Sequence, residues 1–123
     1  MKKAFWWGMG FIILIILIAI LLSSSGSGKY DDFAKCLTEK GTKMYGAYWC
    51  PHCQAQKKLF GSSWKNVDYV ECATPGTNEQ KTVCNQAGIK VYPTWVFPDG
   101  KSLSGELSLE QLSSFTSCQL PVE

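Results

Sequence analysis

Two cysteines separated by two residues, Cys50 and Cys53, follow directly on a predicted strand over residues 43–49. Pro51 fits the first turn of a helix, where its missing N–H is harmless, and a helix is therefore predicted over residues 51–60. Cys50 is then the N-cap of that helix and Cys53 lies one turn in. Free backbone N–H groups and the helix dipole at that end favour a thiolate over a thiol. The motif predicts a redox dithiol in which Cys50 is the exposed nucleophile and Cys53 is its more buried resolving partner.

Other interpretations of this motif stay open. A zinc site commonly needs a second cysteine pair about 15 to 20 residues later. Here Cys72 and Cys84 follow singly, 19 and 31 residues after Cys53. A purely structural disulfide would leave the most exposed sulfur unused. His52, the only histidine of the chain, either tunes the thiol with positive charge and N–H donors or is simply solvated.

The remaining pattern alternates helices and strands. Capping-box pairs, Thr77 with Gln80 and Ser108 with Gln111, mark the starts of the last two helices. A strand–helix–strand unit implies a parallel crossover, and a hairpin adds antiparallel strands, so the predicted class is α/β with a mixed sheet flanked by helices. The predicted elements are a helix over 31–40, a strand over 43–49, a helix over 51–60, a strand over 66–72, a helix over 78–88, two short strands around the turn at 98–100, and a helix after residue 108.

The N-terminus carries a long apolar run, Ala4 to Leu22, which is 19 residues without a charge. As a helix it would span roughly 28 Å, about the thickness of the hydrocarbon core of a bilayer. Trp6 and Trp7 suit the membrane interface, and Lys2 and Lys3 favour a cytoplasmic N-terminus. Residues 1–22 are therefore predicted to be a transmembrane anchor that leaves the rest of the chain extracytoplasmic, in a periplasm or at a cell surface.

A cleaved signal peptide is the alternative, although its apolar core would usually be shorter, at about 7 to 15 residues. Residues 23–28, SSSGSG, predict a flexible linker, and residues 29–123 the folded domain. Six cysteines among the 95 residues of that domain are typical of an oxidising compartment. Both interpretations of the N-terminus therefore give the same location.

The charge distribution argues against nucleic acid as a partner. The net charge of +2 is accounted for by Lys2 and Lys3, since from residue 29 onward there are ten lysines and ten acidic residues. The chain contains no arginine, the residue that reads bases and phosphates through two parallel hydrogen bonds.

Three segments carry a family resemblance: KMYGAYWCPHCQAQKKLFG, YVEC and VYPTW. They resemble the thioredoxin-like domain that is fused to bacterial and plant vitamin K epoxide reductase homologues, over roughly residues 30–118. The resemblance implies a thioredoxin-like fold. It also implies a dithiol that exchanges with substrate proteins and with a quinone-reducing membrane bundle.

The resemblance further implies that Tyr92–Pro93 is a cis peptide bond facing the active disulfide, with Tyr92, Pro93 and Thr94 forming the substrate groove. A trans proline at a strand edge is the alternative. Trp49 and Trp95 either line this groove or belong to the core.

The cysteine pairing is likewise taken from the resemblance. The resembled domain pairs the positions of Cys72 and Cys84, and this assignment leaves Cys36 for Cys118. A second, shuttling role for Cys72 and Cys84 remains an alternative to a structural one.

The chain also departs from the family pattern. One spanning segment cannot bind quinone as a bundle of several helices does. Thioredoxins proper carry CGPC and a buried acid in the preceding strand, whereas Met44 stands six residues before Cys50 in this chain. The Pro51–His52 pair instead resembles periplasmic dithiol oxidases.

We therefore expect a membrane-tethered, extracytoplasmic thiol–disulfide oxidoreductase that needs no metal or organic cofactor. Its active cysteines are Cys50 and Cys53, supported by Trp49, Pro51 and His52. The expected partners are protein thiols and disulfides and a vitamin K epoxide reductase-like membrane oxidase. The alternatives are a reductase or isomerase using the same chemistry and a non-catalytic module that binds a metal or a partner.

Overall fold

The computed structural model describes residues 2–22 and 26–123, with side chains described at 8–21 and 26–123. Part of the predicted linker, residues 23–25, lies outside the described residues, and so do the side chains of Lys2, Lys3, Trp6 and Trp7. In chain order the elements are α1 (Lys2–Leu22), α2 (Asp31–Glu39), β1 (Lys43–Gly46), α3 (Pro51–Phe60), a 3₁₀ helix (Gly61–Asn66), β2 (Tyr69–Glu71), α4 (Thr82–Gln86), β3 (Thr94–Val96), β4 (Ser102–Ser104) and α5 (Leu109–Thr116).

The four strands form one mixed sheet in the order β2–β1–β3–β4. β1 and β2 are parallel and are joined through α3, whereas β3 runs antiparallel to both β1 and β4. The predicted α/β class with a mixed sheet is confirmed. Among the described residues, no helix combines the length and the apolar character that crossing a membrane requires.

The local signals for α3 and α5 are confirmed. Pro51 begins α3, Gly61 ends it at φ +56°, and Cys50 is the N-cap. Ser108 and Gln111 form the predicted capping box at α5: each side chain bonds the backbone N–H of the other residue, at 3.1 and 2.9 Å.

The helix predicted over 78–88 is present but shorter, because only Thr82–Gln86 is helical, and its predicted start at Asn78 is wrong. Gln80 forms an isolated antiparallel bridge with Ala73, and Lys81 N donates to Cys72 O at 2.8 Å. Thr77 Oγ1 accepts from Glu79 N within a turn instead of capping a helix. These bonds hold the segment extended beside the end of β2, which outweighs its local helical signal.

Two predicted strands are shorter than expected. β1 ends at Gly46, and residues 47–50 turn into α3; β2 begins only at Tyr69, after the 3₁₀ helix. The core beneath the sheet contains Trp95, Phe33, Phe60, Leu37 and Met44, each less than 2 % exposed. Phe33 stacks on Phe60, whose ring also contacts Trp95.

Candidate active site

Cys50 and Cys53 carry free thiols at the junction of β1 and α3. Cys50 has extended backbone angles, φ −78° and ψ 118°, and its Sγ accepts a hydrogen bond from Cys53 N at 3.2 Å. The predicted exposure of Cys50 is wrong, since only 4 % of it is exposed, against 0 % for Cys53. Its sulfur turns back over the first turn of α3 to accept that bond, so only a small part of Cys50 reaches solvent.

Cys53 lies in a low-dielectric environment beneath the motif. Burial, together with its hydrogen bond to Cys50, raises the pKa of the Cys53 thiol to about 12. Its sulfur packs against the backbone of Gly46: a Cβ at that position would lie 2.9 Å from Cys53 Sγ and 3.1 Å from Tyr69 Cε2. Only glycine permits this approach of strand, thiol and ring.

Tyr69 and Glu71 form a polar pair beside this buried thiol. Tyr69 OH donates to Glu71 Oε2 at 2.7 Å, and Glu71 Oε1 accepts from Tyr48 N at 3.1 Å and Ala73 N at 2.9 Å. Burial is the main cause that raises the pKa of Tyr69, and its hydrogen bond to Glu71 is the second. The tyrosine therefore stays neutral and donates a hydrogen bond to one oxygen of Glu71, whose other oxygen accepts from the two backbone amides.

His52 contacts the segment before α5. Its Nδ1 lies 2.7 Å from Glu106 Oε1, and its side chain is 74 % exposed. Nearby, Gln56 of α3 is wholly buried: it donates to Leu107 O at 2.9 Å and accepts from Leu107 N at 2.7 Å. These two contacts hold the active-site helix against the start of α5.

Of the predicted groove residues, Tyr92 and Pro93 lie on the loop before β3, and Thr94 is the first residue of that strand. Tyr92–Pro93 is cis, Pro93 is buried, and Thr94 Oγ1 donates to Val91 O at 2.8 Å. The Tyr92 ring meets the Trp49 ring edge-on with centroids 6.0 Å apart, and its hydroxyl bonds Gln80 Oε1. This contact connects the cis-proline loop to the residue before Cys50.

A cavity of about 360 Å³ lies between Trp49, Tyr92 and the loop over residues 73–80. Trp49 is 58 % exposed at its rim. Trp95, the other tryptophan considered for the groove, is 0 % exposed and belongs to the core, where its Nε1 donates to Gln56 Oε1 at 3.3 Å. A groove-lining role for Trp95 is therefore wrong, because its ring lies beneath the sheet.

Two disulfides involve the other four cysteines. Cys36 is bonded to Cys118 and Cys72 to Cys84, with Cα–Cα distances of 5.9 and 5.7 Å. Cys72 and Cys84 are both 0 % exposed, so an outside thiol cannot reach them in this conformation. Since their sulfurs bind each other, they are not available as zinc ligands beside the motif.

Several residues of the site were missed from the sequence. Gly46 had a usable signal, since a glycine inside a strand often marks a close backbone approach. Lys57, whose Nζ lies 4.0 Å from the centroid of the Tyr69 ring, also had one, because it follows Cys53 by four residues and thus lies on the same helix face. Glu71 and Glu106 had none, as their partners come from other elements.

Comparisons with known proteins agree with this architecture. A family model described as Thioredoxin matches residues 30–117. "Thiol-disulfide oxidoreductase LTO1" of Arabidopsis thaliana is 42% identical over 103 residues, which cover 80% of this chain and 27% of that protein. "Protein disulfide isomerase-like 2-2" of Oryza sativa subsp. japonica is 34% identical over 82 residues, 59% of this chain and 22% of the relative. "Probable protein disulfide-isomerase A6" of Medicago sativa is 31% identical over 91 residues, which cover 66% of this chain and 25% of that relative. The chain thus spans about a quarter of the length of these relatives.

Proposed function

The chain belongs to the thioredoxin family, and from that premise we propose that it is a thiol–disulfide oxidoreductase whose working pair is Cys50 and Cys53. The observation that carries the proposal is the position of Cys50 at the N-cap of α3, with its sulfur accepting the Cys53 N–H. An N–H donor and the positive end of the helix dipole stabilise a thiolate there. The names of the plant relatives point to the same chemistry.

The two cysteines take different roles in this proposal. Cys53 stays protonated at neutral pH because burial raises its pKa to about 12, so Cys50, with its small exposed area, makes the first attack. The Cys50 thiolate attacks one sulfur of a substrate disulfide, forms a mixed disulfide and releases one substrate thiolate. Cys53 then loses its proton and attacks Cys50 Sγ. This closes the Cys50–Cys53 disulfide and releases the second substrate thiolate.

Run in reverse, the same steps oxidise a substrate dithiol. A substrate thiolate attacks Cys50 in the Cys50–Cys53 disulfide and forms a mixed disulfide, and Cys53 leaves as a thiolate and takes up a proton. A second substrate thiolate then attacks the substrate sulfur of that mixed disulfide, which closes the substrate disulfide and releases Cys50 as a thiolate. Pro51 starts α3, and the rings of Trp49 and Tyr92 border the place where a substrate chain would reach Cys50. His52 lies on the outer face of the first turn.

Purified full-length chain is expected to accelerate both the reduction of insulin by dithiothreitol and the reoxidation of a reduced test protein. The reduction potential, measured against glutathione buffers, then separates the directions: a value near about −120 mV suits an oxidant and one near about −270 mV a reductant. We favour the oxidant because of the Pro-His motif. The isomerases among the relatives support the alternative of a reductase or isomerase. If the chain accelerated neither reaction, both the oxidant and the reductase or isomerase proposals would be contradicted.

We further propose that residues 1–22 tether the protein to a membrane, through the linker at 23–28, with the domain at 29–123 on the extracytoplasmic side. The apolar run in the sequence supports this, and so do the large apolar side chains of α1 between Phe11 and Leu21, each of which is at least 45 % exposed. A helix that presents apolar groups on its exposed surface is suited to lipid. A quinone-linked membrane oxidase of the vitamin K epoxide reductase type is the proposed partner, on the resemblance of the motifs alone.

One experiment tests both the tether and this partner. A full-length Cys53→Ala variant is expected to remain in alkaline-washed membranes and to accumulate there as a mixed disulfide with an integral membrane protein, since the resolving thiol is absent. The matched Cys50→Ala/Cys53→Ala variant should reach the membrane but form no adduct. Release of the chain into the wash would contradict the tether, whereas a membrane-bound chain without such an adduct would contradict the partner.

A further inference from the structure

A lysine lies one helical turn behind the resolving thiol. Lys57 follows Cys53 by four residues in α3, so the two side chains lie on the same face of the helix. Lys57 is half-buried, whereas the neighbouring Lys58 is exposed. The two lysines thus differ in surroundings although they are adjacent in sequence.

Aromatic rings hold the Lys57 ammonium in place. Lys57 Nζ lies 4.0 Å from the centroid of the Tyr69 ring and 5.7 Å from that of Trp64. These are distances at which a cation is attracted to the face of a ring. Tyr69 is itself fixed by its 2.7 Å bond to Glu71.

The same tyrosine ring borders Cys53. Tyr69 Cε2 and Cys53 Sγ lie 3.1 and 2.9 Å from one point, the position that a Cβ on Gly46 would occupy. The ring beneath Lys57 thus packs beside Gly46 at the same point as the buried sulfur of Cys53. The ammonium of Lys57 also acts to lower the pKa of Cys53, although burial outweighs it.

We propose that Lys57 is a positioning residue for the exchange reaction, whose ammonium stabilises the negative charge that develops on Cys53 Sγ as Cys53 attacks or leaves. This inference rests on the proposed function and deepens it. In the step concerned, a thiolate attacks Cys50 Sγ, the Cys50–Cys53 bond breaks, and its electron pair remains on Cys53, which then takes a proton. Because Cys53 is wholly buried, its surroundings otherwise destabilise the thiolate that forms in this step.

The test is the reduction of the oxidised full-length chain by reduced glutathione in detergent, with samples acid-quenched, alkylated and counted by mass. Lys57→Met is expected to slow the reaction about three- to tenfold, because only part of the charge has developed in the transition state. Lys57→Arg should retain most of the rate, and the matched control Lys58→Met should retain all of it.

A second measurement separates this role from a structural one. Because reduced Cys53 is protonated at neutral pH, the equilibrium constant with glutathione should change less than about twofold in Lys57→Met. Equal rates in Lys57→Met and Lys58→Met would overturn the proposal, and so would an equal loss in Lys57→Arg or a change in the equilibrium constant as large as that in rate. A wild-type chain that glutathione reduces no faster than an unactivated disulfide would instead contradict the proposed function.

Discussion

Replacement of Cys50 by serine is expected to lower the rate of thiol–disulfide exchange by at least about 10³-fold, the order of loss that follows removal of a covalent nucleophile. A serine hydroxyl would not ionise at this helix end at neutral pH, and it forms no bond to sulfur that a second thiol could resolve. The rate of insulin reduction by dithiothreitol, compared between variant and wild type, measures the effect.

Cys53→Ser is the matched control, because it removes the other sulfur of the same motif. This variant should still make the first attack and then stop, so it accumulates mixed disulfides that wild type resolves. Substitution of Cys50 should give no such adducts. If Cys50→Ser retained turnover, or if Cys53→Ser alone abolished the first attack, the assigned roles of the two cysteines would be wrong.

Removal of the Cys36–Cys118 disulfide is expected to lower the free energy of unfolding by about 4 to 5 kcal/mol, from the loop-closure entropy of the unfolded chain. The bridge closes a loop with a sequence separation of 82 residues and ties α2 to the segment after α5. The double variant Cys36→Ala/Cys118→Ala is compared with wild type by urea unfolding of the full chain, followed by tryptophan fluorescence.

The second disulfide provides the comparison. Cys72–Cys84 has a sequence separation of only 12 residues, so the double variant Cys72→Ala/Cys84→Ala should lose about 3 kcal/mol on the same account. It should also loosen the extended segment that bonds Tyr92 through Gln80, and thereby affect the cavity beside Trp49. A larger loss for the short loop than for the long one would show that loop entropy does not dominate.

Substitutions in the two cysteine pairs are thus expected to change different properties: the exchange activity for Cys50–Cys53 and the stability of the fold for Cys72–Cys84. The Cys50–Cys53 pair lies where a helix begins, next to exposed Trp49, and each of its members is free. The Cys72–Cys84 pair is buried and already bonded. Loss of the first should abolish exchange in a folded protein, whereas loss of the second should weaken the fold first.

Features that depend on a few neighbouring residues were predictable. The N-cap position of Cys50, Pro51 at the first turn of α3, and the capping box of Ser108 and Gln111 were all read from spacing alone. Each depends only on backbone geometry or hydrogen bonds within about one helical turn. The segment over 78–88 had an equally good local signal, yet its bridge to Ala73 and its bond to Cys72 keep most of it out of a helix.

The sequence by itself therefore determined the α/β order, the dithiol at a helix start and the family to which the motifs point, because these features depend on local backbone geometry and side-chain type. Only the tertiary structure decided what surrounds the two sulfurs. In the folded chain Cys50 is almost wholly buried, and Trp95 lies in the core. Glu106 contacts His52. Gly46 and the ring of Tyr69 pack against the resolving thiol, and Lys57 lies over that ring. Those contacts join residues that are distant in the chain, and their positions follow from how the sheet, α3 and α5 pack, which no short stretch of sequence specifies.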